Sequence, residues 1–172
     1  MLRRCSNCIV SVCVVLVLFL FSLTGTEQAA DLKRLNLDDP MSLGTTIAAD
    51  KDTKSQGSGS IRISTLWPTT ICLGELSDLD VENATLVYRA NVKSEKLEGQ
   101  AFLEMWCHFG GGQYFSRGLN SVIAGTSDWK TLETPFFLQK GQKPEKVTLN
   151  IVVNGKGTVW INEARLVKEP LK

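Results

Sequence analysis

From Ala84 onward, apolar and polar positions alternate along the chain. Leu86, Tyr88, Ala90 and Val92 fall on one side; Val87, Arg89, Asn91 and Lys93 fall on the other. Gln100–Phe109 repeats the pattern, with Leu103, Met105, Cys107 and Phe109 opposite Phe102, Glu104, Trp106 and His108. Val147, Leu149, Ile151 and Val153 alternate with Thr148 and Asn150, and Gly155–Val167 closes the series. A two-residue period marks strands with one face on a core and the other toward water. No segment between residue 31 and the end carries a convincing helical spacing.

Shorter pieces complete the reading. Thr45–Ala49, Ile61–Leu66, Thr69–Leu73, Gln113–Ser116, Leu119–Ala124 and Thr131–Leu138 read as strands, with a weak strand or helical turn in residues 31–43. Pro135 puts its strand at an edge or a bulge, because proline cannot donate to a ladder. The polar, glycine-rich Lys51–Ser60 reads as an exposed loop, the acidic Glu75–Glu82 as a connection, and Gly155 with Gly157 as a turn. Eight or nine short strands separated by turns predict an all-β, antiparallel β-sandwich or barrel.

The N-terminus is of another kind. Arg3 and Arg4 precede an apolar run from Cys8 to Leu23, followed by small and polar residues. This is the pattern of a secretory signal segment. It makes residues 1–30 a signal peptide or an uncleaved membrane anchor, with residues 8–23 as the tether. Residues 31–44 follow as an extension, 45–168 as the sandwich and 169–172 as a tail. Removing Arg3, Arg4 and Glu27 leaves 17 basic and 17 acidic residues, a neutral domain. With no Lys/Arg cluster to neutralise phosphates, nucleic acid is excluded as a partner. Cys72 and Cys107 remain, open to a disulfide in an extracytoplasmic compartment or to two separate thiols.

Four pieces resemble carbohydrate-binding modules of the galactose-binding-like jelly-roll class, of the type associated with cellulases and xylanases. GSGSIRI (Gly57–Ile63) looks like their glycine turn and early core strand. Tyr88–Trp106 resembles two paired central strands joined by a polar loop. Ser127–Phe136 resembles their loop-to-strand segment, and GKGTVWINEARL their terminal strand. The resemblance implies a jelly roll that binds glycans without catalysis. Some members hold a structural calcium near the first and last strands. Here Asn162 stands where a paired acid would, which weakens that site, and no other cofactor is expected.

The candidate ligand face is the polar side of Gln100–Phe109. Sugars present flat apolar CH faces to aromatics and hydroxyls to amides, acids and guanidinium groups. Trp106 with Glu104 and His108 meets that need, Arg89 and Asn91 would lie beside it if the preceding strand pairs with it, and Tyr114 would form a rim. A register slip of one residue would instead place Trp106 in the core. His108 is the lone histidine, and Glu104 is about 13 Å along the strand from it, so no catalytic pair or multi-histidine metal site is formed. Gly110–Gly112 lacks the residues of a phosphate loop and reads as a hairpin connection. The sequence therefore predicts a glycan-binding domain outside the cytoplasm. The alternative is an envelope protein that contacts another protein, tethered or free.

Overall fold

The computed structural model describes residues 30–34 and 47–171. The signal segment and most of the N-terminal extension lie outside the described residues. Eight strands follow in order: β1 (Ala30–Arg34), β2 (Ile47–Asp50), β3 (Ser60–Thr65), β4 (Thr69–Ser77), β5 (Ala84–Phe109), β6 (Gly112–Arg117), β7 (Ile123–Leu138) and β8 (Lys146–Pro170). All pairings are antiparallel. Among the described residues there is no helix.

Two long strands organise the rest. β5 and β8 pair with each other from Ala84↔Pro170 to His108↔Lys146. Their partners change half-way. The first half of β5 pairs with β7 and the second with β6, while β8 pairs first with β4 and then with β3 and β1. Leu86, Tyr88, Ala90 and Val92 in one half, and Leu103, Met105 and Cys107 in the other, belong to one buried cluster. With no helix to cover them, those two inward faces must cover each other. The network therefore folds over at its middle into a β-sandwich. One layer is β2–β3–β8–β5–β7 with β1 beside the end of β8, and the other is β4–β8–β5–β6. Each buried Leu or Ile contributes about 1.5–3 kcal/mol to that closure.

The local chemistry of the bend is visible in the chain. Gly99 pairs directly with Gly155, and a Cβ on Gly99 would sit 2.2 Å from the Asn154 carbonyl oxygen. Lys96 (φ 48°) and Gly99 (φ 107°) turn the strand, and a register shift lies between Glu95 and Glu98. The extra residue changes the core-facing positions of β5 from even numbers to odd.

Some expectations are corrected here, while the exposed Lys51–Ser60 loop and the edge position of the Pro135 strand are borne out. Tyr88 and Trp106 do not lie on two paired strands; Ser94–Gly99 bends one strand, and β8 stays paired with both flanks. Gly155 and Gly157 likewise lie inside β8 and make no turn. β4 continues through Glu75 to Ser77, so the acidic segment begins as strand. Ala30–Arg34 adds a strand against Arg165–Lys168. The Lys51–Ser60 loop is anchored over the β5–β8 surface: Ser55 Oγ donates to Asn162 Oδ1 at 2.6 Å, Asn91 Nδ2 donates to Ser55 Oγ at 3.1 Å, and Asn162 also donates to the Gly59 carbonyl. Pro135 sits in β7, which among the described residues pairs only with β5 and so forms an edge.

Candidate functional site

The outward face of the β4–β8–β5–β6 layer carries three rows of side chains. Register places Arg117, Glu104, Asn150 and Cys72 in one row, and Phe115, Trp106, Thr148 and Glu75 in the next. Gln113, His108, Lys146 and Ser77 form the third. Alternation accounts for the sorting, since the residues between them (Met105, Cys107, Val147, Leu149) are fully buried in the core.

Glu104 is the hub. Its buried carboxylate accepts from Trp106 Nε1 at 2.8 Å, Asn150 Nδ2 at 3.1 Å and Arg117 Nε at 2.6 Å. Burial alone would raise its pKa, but the bonds from Arg117, Trp106 and Asn150 outweigh that and hold the carboxyl below its ordinary value. A carboxylate held this way is a poor general base. It is suited to fixing the indole.

Phe115 supplies the second aromatic, its centroid 5.0 Å from that of Trp106, and the residue is 51% exposed. The Arg117 guanidinium lies 4.7 Å over the Phe115 ring. On the other flank, Thr148 Oγ1 donates to Glu75 Oε1 at 3.2 Å and lies 3.3 Å from His108 Nε2. With its hydrogen committed to Glu75, the hydroxyl accepts from the imidazole. Lys146 Nζ also reaches Glu75, at 3.1 Å. The hydrogen bonds from Lys146 and Thr148 lower the pKa of Glu75. The result is an aromatic pair bordered by amide, hydroxyl, imidazole and charged groups.

Glu104, Trp106 and His108 are thus brought together on one face; Arg89, Asn91 and Tyr114 are not, and Asn91 lies with Arg89 beyond the bend, bonded to Ser55 and Thr131. Arg89 lies on the other layer, where it bonds Glu133 at 2.8 Å and Glu169 at 2.7 Å. Those bonds raise its pKa, that of Glu133 first. It cannot flank Trp106, because both belong to one strand on opposite sides of the bend. Tyr114 pairs with Cys107, which puts it on the sheet face opposite Trp106, edge-on to Phe109 at 5.9 Å. The residue missed was Phe115. Its signal was the hairpin register: a tight connection at Gly110–Gly111 sets Phe115 opposite Trp106.

The other chemistry also resolves. Cys72 is exposed and paired with Asn150 on the outward face, whereas Cys107 is buried on the inward face, and both are free thiols. Burial pushes the Cys107 thiol up to about 12. Among the described residues, those near the first and last strands do not fit a calcium ion. Asn162 is bonded to Ser55 and Gly59, and Asp50 accepts the amides of Asp52 and Thr53 and the Trp160 indole. Among the described residues, no group of three or more His, Cys, Asp or Glu gathers to hold a metal.

Comparison of the fold with solved structures is decisive for its class. The CBM22-1 xylan-binding domain of Paenibacillus barcinonensis Xyn10C superposes with a TM-score of 0.56 at 14% identity, covering 84% of this chain and 97% of that one. The chain shares the jelly-roll fold of that module. The CBM22-1–GH10 modules of Clostridium thermocellum xylanase Xyn10B, complexed with xylohexaose, give a TM-score of 0.57 at 9% identity, over 81% of this chain and 28% of that one. The family 30 module of the C. thermocellum cellulosomal cellulase Cel9D-Cel44B gives 0.50 at 18% identity, over 77% and 95%. No family model matches the sequence, and no curated protein matches it. At these identities the likeness concerns the jelly-roll fold.

Proposed function

We propose that this protein is a non-catalytic carbohydrate-binding β-sandwich that acts outside the cytoplasm and holds a glycan on the outward face of the β4–β8–β5–β6 layer. Trp106 and Phe115 would stack on the apolar faces of successive pyranose rings. Asn150, His108, Thr148 and Arg117 would meet the hydroxyls at the borders. The observation that carries the reading is the Trp106–Glu104–Arg117 arrangement, in which a buried carboxylate is used to orient an aromatic. The carbohydrate-binding modules that share the fold support it, and the N-terminal signal pattern supports export. The locked state of Glu104 favours binding over hydrolysis.

The test is affinity electrophoresis and calorimetry against soluble xylan, β-glucan and β-1,4-galactan. Trp106→Ala and Phe115→Ala should each weaken binding at least tenfold, about 1.4 kcal/mol, with the fold retained by circular dichroism. Unchanged binding in both variants removes this face from the account.

A further inference from the structure

The second feature of the surface lies at the bend, remote from Trp106. Leu66, Trp67 and Pro68 join β3 to β4, and so carry the chain from one layer to the other. Trp67 is 74% exposed, and Leu66 beside it is 72% exposed. Exposure of this kind is costly for a residue with no task, since an indole buries a large apolar area when covered. The Trp67 backbone is also held in place. Thr65 Oγ1 accepts from the Trp67 amide at 3.1 Å and donates to the Trp67 carbonyl at 2.5 Å.

Beside it opens a groove of about 610 Å3, within the size range of small-ligand sites. Its walls carry the hydroxyls of Ser64 and Thr158, the acids Glu95 and Glu98, and the cations Arg62, Lys96 and Lys156. Lys156 pairs with Glu98 at 3.1 Å and Lys96 lies 4.0 Å from Glu95. Arg62 is different. Among the described residues it has no carboxylate partner, and its guanidinium lies 5.9 Å from the centroid of the Trp160 ring.

We infer that this groove is a second binding site, for a glycan bearing uronic acid. Trp67 supplies the platform for a pyranose face, Ser64 and Thr158 meet hydroxyls, and Arg62 takes the carboxylate of the uronate. A guanidinium presents a planar fork that matches a carboxylate in two parallel bonds. With Glu95 and Glu98 neutralised by Lys96 and Lys156, the groove offers one unpaired cation, enough for a single carboxylate and too few for an anionic lipid surface, which is held by a cluster of Lys and Arg. The hydroxyl-lined walls argue against a purely apolar partner. About nine residues of β5 separate Trp106 from the bend, roughly 30 Å of strand, so the site does not depend on the Trp106 face.

The experiment titrates the full chain with polygalacturonate, with glucuronoxylan and with the carboxyl-reduced form of each. Calorimetry is done on the wild type, Trp67→Ala, Arg62→Gln and Phe115→Ala, and on Phe115→Ala combined with each groove substitution. Both substituted groove residues are exposed, so folding is preserved. With the sheet face weakened by Phe115→Ala, adding Trp67→Ala should cost at least a further tenfold for every form that still binds. Adding Arg62→Gln should cost as much for the acidic forms only, and Phe115→Ala alone should leave the acidic binding measurable. Loss in Phe115→Ala with full binding in Trp67→Ala would overturn this site while leaving the sheet-face proposal intact. No binding of the acidic glycans by the wild type would overturn it, as would equal binding of acidic and reduced glycans by both wild type and Arg62→Gln. Trp67-dependent binding to phosphatidylserine vesicles in place of glycans would overturn it as well.

Discussion

Trp106 donates its indole hydrogen to Glu104 at 2.8 Å, two residues away on the same face of β5. The indole is therefore fixed by its own strand, before any neighbour contributes. Replacing Glu104 by Gln keeps the shape but removes the charge that pairs with Arg117. Arg117 is partly exposed, so the expected loss of stability is moderate, about 1–2 kcal/mol. Urea unfolding followed by tryptophan fluorescence measures it. The folded-state emission should shift at the same time, because the environment of Trp106 changes.

Acid should act through the same carboxyl. The folded-state pKa of Glu104 lies below the ordinary glutamate value of 4.5. The group is deprotonated more readily in the folded protein than in the unfolded chain. Its contribution is thus complete above about pH 4.5 and is lost as pH falls through the lower folded value. Thermal midpoints measured between pH 6 and pH 3 should fall below pH 4.5, and Glu104→Gln should flatten that fall. A midpoint that rises on acidification would contradict the assignment.

Tyr88 is fully buried, and its hydroxyl has no hydrogen-bond partner among the described residues. Burial drives its pKa far above the ordinary phenol range. Deleting an unsatisfied buried polar atom returns its desolvation cost, which is about 1–3 kcal/mol. Part of that is offset by the small void left behind. Tyr88→Phe should therefore be neutral or stabilising by about 1 kcal/mol in a denaturant titration.

Asn162 holds the Lys51–Ser60 loop through Ser55 and the Gly59 carbonyl. Asn162→Ala leaves that carbonyl without its partner in a buried place. The expected cost is about 1–3 kcal/mol. Hydrogen exchange should localise the effect, with faster exchange at Thr53–Ser60 and unchanged protection along β4. Protection that is lost equally everywhere would show that the loop is not a separable unit.

The sorting of residues between core and surface was legible in the chain because it is local. Leu103, Met105 and Cys107 against Glu104, Trp106 and His108 needs only the two-residue period. The neighbours of Trp106 were less legible. Whether Arg89 lies near it depends on whether Ser94–Gly99 reverses the chain or only bends it. That choice rests on Gly99 meeting Gly155, a pairing 56 positions apart. Polar composition at Ser94–Gly99 fits either outcome, and it reads as a loop. Phe115 could have been found by counting outward from the Gly110–Gly111 connection, since hairpin register follows from loop length. The anchored Lys51–Ser60 loop gave no local sign, because its serines and glycines suit both free and fastened conformations.

The continuity of β5 and β8 through both layers also bears on how the molecule forms. In a sandwich of separate sheets, one sheet can assemble and wait for the other. Here each layer contains half of the same two strands, and their register runs from Ala84↔Pro170 to His108↔Lys146. Half of that pairing cannot be aligned without constraining the rest. Closing such distant segments costs chain entropy before any contact compensates for it. Folding should accordingly be slow and cooperative, and the groove at the bend and the aromatic face should appear together in time.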